Sequence, residues 1–307
     1  LDHIELMAVA RDVGHTVIDP SDILLTDQVA VVTGGGGGIG QGTALGLAKF
    51  GAHVAVLDSI PERCAATEAA IRELGRQAEG IVCDVLDPDQ IRSALARVKD
   101  RFGRLDILVN NAGGVRAGLF RTQPEASIRR HVEINLISTM IATQEAARYM
   151  IDQGEGGSIV NVSSIEGSRA APMFAVYAAC KAGVISLAKT MAMELGEYGI
   201  RVNCISPDHT VTPGNRDNRT GPVEPDNWED SSPDWARLIP LGREGLVEEC
   251  ASAVVWLCSK MSAYVTGVNI PVDGGTFASS GWLREPSGGW TLNPGSAQAV
   301  PDSLRIR

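Results

Sequence analysis

The chain has 307 residues, 44% apolar and 21% charged, enough to bury a sizeable core in one large α/β domain or two small ones. Its 27 lysines and arginines face 37 aspartates and glutamates, and the net charge of −10 argues against nucleic acid or an anionic membrane as partner. No apolar run reaches the roughly 18 residues of a membrane span, and no basic-then-apolar segment opens the chain, so a cytoplasmic protein without a secretory signal is expected. The six cysteines (Cys64, Cys83, Cys180, Cys204, Cys250 and Cys258) form no CxxC pair, which points to reduced, buried thiols and no metal cluster.

Residues 1–24 show no clear periodicity and read as an arm outside the core. Gln28 to Thr33 is a short β-branched apolar run, a buried strand that meets the glycine series Gly34 to Gly38, then Ile39 and Gly40. A helix is expected from Thr43 to Phe50. Strand, glycine turn and helix N-terminus together make a phosphate site, because glycines admit a pyrophosphate close to the backbone and the helix dipole favours its charge. A second strand over 52–57 ends at Asp58, twenty positions past Gly38, where a dinucleotide fold places the carboxylate that bonds the ribose hydroxyls. The glycine turn holds no Lys or Arg to meet a 2′-phosphate, so NAD(H) is expected to be preferred over NADP(H). Helices near 61–75 and 88–101 and strands near 78–83 and 106–110 follow. This alternation implies a parallel sheet covered on both faces.

Ser158 to Val162 reads as another buried strand, and it opens into Ser163 and Ser164. Tyr177 and Lys181 stand four apart in an alanine-rich helical run, so phenol and ammonium share one face. A cation beside a phenol favours phenolate and should lower a pKa that starts near ~10. Such a tyrosine can act as acid or base nearer neutral pH.

Together these segments resemble the short-chain dehydrogenase/reductase family in its shorter, single-domain branch, over about residues 25–278. The matching motifs are Thr33-Gly34-x-x-x-Gly38-x-Gly40, Asn110-Asn111-Ala112-Gly113, Asn135 after Ile134, Ser164 before Tyr177-x-x-x-Lys181, and Val272-Asp273-Gly274-Gly275. The resemblance implies a Rossmann-type, doubly wound parallel sheet of about seven strands. It also implies catalytic roles for Asn135, Ser164, Tyr177 and Lys181. Ser163 competes with Ser164, and spacing to Tyr177 favours Ser164. The nicotinamide cofactor would be held by Gly34, Gly37, Gly38, Ile39, Gly40, Asp58, Asp84, Val85, Asn111, Ala112, Gly113, Tyr177, Lys181, Pro207, Thr210 and Thr212. Lys181 would hold the nicotinamide ribose, and Asn135 a water linking Lys181 to solvent.

One departure stands out. Where the family reads Asn-x-x-x-Pro-Gly, this chain reads Asn203 to Pro207 and then Asp208, whose carboxylate is expected to face away from the nicotinamide. The stretch of about 208–240, rich in Pro and acidic residues, reads as a substrate lid. The tail from 279 to 307, with Trp282 and Trp290, is too irregular for a helix and is expected to pack over the pocket or on a neighbouring subunit. The implied activity is interconversion of a secondary alcohol and a ketone on a small neutral hydrophobic or cyclic substrate: a steroid, terpenoid or cyclic diol. A 3-oxoacyl-thioester reductase or sugar dehydrogenase is the alternative within the family; a nucleotide-free lyase or a non-catalytic NAD-binding regulator lies outside it. Self-association as a homotetramer is implied through the helix that carries Tyr177 and the one before it.

Overall fold

The computed structural model describes residues 18–212, 233–285 and 289–292. β-branched and leucine-rich runs with almost no exposed residues form the strands Val29–Thr33 (β1), His53–Asp58 (β2), Ala78–Val82 (β3), Ile107–Asn110 (β4), Gly157–Val162 (β5), Ile200–Pro207 (β6) and Asn269–Val272 (β7). They make one sheet in the order β3-β2-β1-β4-β5-β6-β7, with every neighbouring pair parallel. The helices are Gly38–Lys49 (α1), Pro61–Glu73 (α2), Pro88–Phe102 (α3), Glu125–Val132 (α4), Ser138–Gln153 (α5), Ala175–Glu194 (α6), Pro233–Leu238 (α7) and Val247–Cys258 (α8).

Side chains of successive strand residues leave the sheet on opposite sides. Val29 and Val31 therefore join Leu95, Ala146 and Val184 in one core beneath α3, α5 and α6. Ala30 and Val32 join Leu47 and Val254 in the other core, beneath α1 and α8. This is the doubly wound α/β arrangement that the alternation of elements implies. The chain leaves β1 for one face and β4 for the other, which opens a crevice at their C-terminal ends. There the sheet presents Thr33, Asp58, Asn110, Val162 and Pro207.

Some boundaries differ from the sequence expectation. α1 begins at Gly38, five residues before Thr43, because Gly37 and Gly38 serve as the N-cap and first turn despite their low helix propensity. β4 begins after Asp106, whose carboxylate instead accepts the Val29 amide at 2.8 Å and pairs with Arg104. The tail contributes a small antiparallel pairing of Leu283–Arg284 with Trp290–Thr291 (β8 and β9) in the same chain. Arg237 of α7 donates to the Arg284 carbonyl, and the Arg284 guanidinium lies over the Trp290 ring. Of the arm, lid and tail read from the sequence, residues 1–17, 213–232, 286–288 and 293–307 lie outside the described residues.

Candidate active site

A cavity of about 770 Å³ runs along the C-terminal edge of the sheet and gathers most of the residues singled out from sequence. At one end lies the glycine loop. Gly34 and Gly38 have φ of +62° and +54°, and a Cβ on Gly40 would overlap the Gly34 carbonyl oxygen and Asn111 Nδ2. The sharp turn and the close approach of α1 thus require glycine. α1 has no side-chain cap and no acid in its first turn, so its N-terminal amides face the cavity with their partial positive charge intact. Asp58 is buried; its carboxylate accepts the Gly36 amide at 3.1 Å and the Ile60 amide at 3.0 Å. Gly34, Gly37, Gly38, Ile39, Asp84, Val85, Ala112 and Gly113 line the same space, so the residues present fit a dinucleotide.

Asn111, Thr210 and Thr212 also line the cavity, and each has a protein contact of its own. Asn111 reaches the cavity, but its amide donates to the Thr33 and Gly34 carbonyls, so it braces the glycine loop. Thr210 gives its hydroxyl to the Asp208 carbonyl, and Thr212 packs beside Gly38. The expectation that no cation stands near the ribose end is corrected by Arg63. This residue, five past Asp58 on the first turn of α2, lies against Gly36 and Gly37 and lines the cavity. The sequence signal was available: the helix after the second strand starts beside the glycine turn, so its first residues face the same ligand.

The opposite wall carries the candidate chemistry. Ser163 and Ser164 follow β5, and their hydroxyls are used differently. Ser163 Oγ donates to the Lys181 carbonyl at 2.9 Å, which ties β5 to α6. Ser164 Oγ accepts the Glu166 amide at 3.2 Å and lies near enough to the Tyr177 phenol to favour its ionised form. This favours Ser164, as spacing did. Tyr177 and Lys181 lie on α6, with the ammonium 5.6 Å from the centre of the phenol ring. Lys181 is only 5% exposed and its Nζ donates to the Val162 carbonyl at 2.8 Å. Burial brings its pKa down to about 8.

The expected lowering of the Tyr177 pKa is not found. Burial pushes the phenol up and the Glu166 charge adds to this, while the Ser164 hydroxyl pulls it down. The physical reason is desolvation, together with an ammonium that is bound to a carbonyl and sits over the ring face. Asn135 is 0% exposed, inside a π-helical turn (Glu133–Ile137) between α4 and α5. Its amide donates to the Gly114 and His131 carbonyls, and its Oδ1 accepts the Gly114 amide. The place of a Cβ on Gly113, left open by glycine, would lie 2.8 Å from Asn135 Oδ1 and 3.6 Å from Lys181 Nζ.

Comparison with known proteins decides what this assembly belongs to. A family model described as enoyl-(acyl carrier protein) reductase matches residues 34–276. The chain belongs to the short-chain dehydrogenase/reductase family. It is 36% identical over 260 residues to L-rhamnose 1-dehydrogenase (NAD(P)(+)) of Sphingomonas sp. (strain SKA58), covering 83% of this chain and 98% of that one. It is 34% identical over 257 residues to levodione reductase of Leifsonia aquatica, covering 83% and 96%. The structure of carveol dehydrogenase from Mycobacterium avium in complex with NAD superposes with a TM-score of 0.76 at 30% identity, covering 83% of this chain and 99% of that one. The protein is thus an oxidoreductase of the short-chain dehydrogenase/reductase family, a family that binds nicotinamide cofactors.

Where members of this family are expected to carry glycine, Asp208 follows β6 with no positive φ, so the backbone accepts a side chain there without strain. Asp208 borders the cavity, with its Oδ2 closed to solvent. Its side chain is 9% exposed, with Oδ2 3.6 Å from Arg169 Nη2 and Oδ1 3.6 Å from His209 Nε2. Burial raises its pKa, against the pull of His209 and Arg169. Arg169 is also held by Glu166, at 2.7 Å. His209 packs against Trp235 of α7, with ring centres 4.2 Å apart. Sequence reading missed Arg169 and His209, because neither falls in a motif; only the return of β6 beside the Ser164 turn brings them together.

Proposed function

We propose that the protein catalyses reversible, NAD(H)-dependent oxidation of a secondary alcohol to a ketone on a small cyclic substrate. The observation that carries this is one cavity with Ser164, Tyr177 and Lys181 on one wall and the uncapped start of α1 beside Asp58 on the other. Bound nicotinamide would accept the hydride from the carbinol carbon, or return it to the ketone. Loss of hydride leaves positive charge on that carbon unless its oxygen loses a proton, and the Tyr177 oxygen, in its phenolate form, would be the base that takes it. Ser164 Oγ would hold the substrate oxygen beside the phenol. Lys181 would hold the nicotinamide ribose, and Asn135, which shares the cavity with it, would hold a water that carries the proton onward.

Asp58 favours NAD(H), because a ribose hydroxyl can donate to its carboxylate while a 2′-phosphate would be repelled. The polar groups near Asp208 favour a cyclic diol over a purely apolar steroid or terpenoid. A homotetramer is supported by the exposed small residues Ala175, Ala179 and Ala182 on α6, and a cytoplasmic setting by six free, buried cysteines. Among the described residues no helix is long and apolar enough to cross a membrane.

The test is an absorbance screen at the NADH band over cyclic alcohols, diols, sugars and hydroxysteroids, with NAD and NADP side by side. Turnover of at least one alcohol by the wild type, abolished in Tyr177→Phe, is the expected result. Full turnover in Tyr177→Phe would remove the assignment.

A further inference from the structure

The substrate end of the cavity contains a buried charge that the chemistry above does not use. Asp208 is nine-tenths buried, yet its Oδ2 has no hydrogen-bond partner. A buried carboxylate oxygen without a donor is costly, and such atoms in native proteins usually answer to a ligand, a water or a functional constraint. The nearest cation, Arg169 Nη2, stands 3.6 Å away, beyond hydrogen-bond length. Oδ2 is closed to solvent as it stands, and a small outward movement of the Arg169 side chain, which is 32% exposed, would let a single hydroxyl donate to Oδ2 and accept from the guanidinium. Arg169 is also held by Glu166, whose own amide donates to Ser164 Oγ. The orphaned oxygen is therefore coupled, through two residues, to the serine beside the phenol.

We propose that Asp208, backed by Arg169, reads a second hydroxyl on the substrate, adjacent to the carbinol that Ser164 and Tyr177 hold, so the preferred substrates are vicinal cyclic diols and their hydroxyketones. This rests on the reading of the site as an alcohol dehydrogenase. A hydroxyl fits the cluster better than an anion does, since Asp208 and Glu166 both flank Arg169 and already neutralise it. It fits better than a methylene, which would leave the carboxylate oxygen unsatisfied. A site built around a hydrogen bond to a substrate hydroxyl strongly rejects the analogue that lacks it. Asp208 is thus a specificity-determining residue and touches neither the hydride nor the proton that is transferred.

The test is calorimetric binding of cis- and trans-cyclohexane-1,2-diol and of cyclohexanol to the full chain saturated with NADH, with turnover of the same alcohols measured separately with NAD. In the wild type at least one diol should bind roughly 10- to 100-fold more tightly than cyclohexanol, as expected for a hydrogen bond to a charged group. Asp208→Gly should remove that preference, and Asp208→Asn, which keeps the shape and loses the charge, should reduce it at least threefold. A wild-type preference below threefold overturns the proposal, and so does a preference that survives unchanged in both variants. A diol preference in binding without oxidation of any alcohol would leave Asp208 as the reader of the hydroxyl and defeat the dehydrogenase reading instead.

Discussion

Replacing Lys181 by methionine should abolish turnover without weakening the fold, a combination that follows from where the ammonium sits. The amine is 5% exposed and its pKa falls from 10.5 to about 8 because burial penalises its charge. A difference of that size corresponds to roughly 3 kcal/mol of stability, taken up in keeping the group charged at neutral pH. The sign follows from linkage. The folded-state pKa lies below the unfolded value, so between about 8 and 10.5 the unfolded chain binds more protons and stability rises with pH; below about 8 the cost is present in full. Methionine keeps the unbranched length and removes the charge. It also removes the bond to the Val162 carbonyl, and leaving that oxygen unpaired costs about 1–3 kcal/mol. The two effects nearly offset, so at pH 7 the variant should match the wild type or exceed it by ~1–2 kcal/mol. Urea unfolding at pH 7 and again near pH 10 measures this, and the variant's relative stability should decline across that interval as the wild type loses its penalty. A variant destabilised by several kcal/mol at pH 7, with the same difference near pH 10, would refute the reasoning.

Tyr177→Phe should bind NADH within about twofold of wild type by fluorescence titration while losing the 10²–10⁴-fold that a positioned acid/base typically contributes to kcat. Ser163→Ala should retain turnover and lose about 1 kcal/mol of stability with the bond to the Lys181 carbonyl, whereas Ser164→Ala should keep its stability and lose most of kcat; the reverse pattern would exchange their roles. Arg63→Gln should weaken NADPH binding roughly fivefold, as expected for a mostly exposed charge pair, and leave the Kd for NADH within twofold; equal effects on both would place the guanidinium away from the 2′ position.

Much of the fold was legible because its signals are local. Each central strand is buried on both faces and so appears as an uninterrupted run, such as Val29–Thr33 or Ile107–Asn110. The site was legible for a related reason: the glycine turn, Asp58, Ser164 and the Tyr177–Lys181 spacing each lie at the C-terminal end of a strand or in the element after it, where such a sheet collects its ligands. Other features were hidden because they depend on distant partners. Glycine's weak helix propensity masked the start of α1 at Gly38. Arg63 becomes part of the cleft only when α2 packs beside the glycine loop, and Arg169 meets Asp208 only because β5 and β6 are neighbours. The pairing of β8 with β9 joins two residues to two others across a short gap, too few to show any periodicity.

The four-residue spacing of Tyr177 and Lys181 delivers adjacency but not acidity, and the distinction changes which residue tunes the phenol. A cation above a ring face interacts with the π quadrupole, which stabilises the ammonium and leaves the phenolic oxygen at the ring's edge little affected. The ammonium is further committed to the Val162 carbonyl. Of the groups acting on Tyr177, the Ser164 hydroxyl favours the phenolate, while burial and Glu166 oppose it. In the proposed mechanism Ser164 would therefore have two tasks: meeting the substrate oxygen and favouring the ionised form of its neighbour. Its own orientation is set by the Glu166 amide, and Glu166 is held by Arg169, the partner of Asp208. A change at Asp208 that frees Arg169 should consequently reach the phenol through three short contacts, so that substrate recognition and proton transfer in this cleft are adjusted by the same chain of residues.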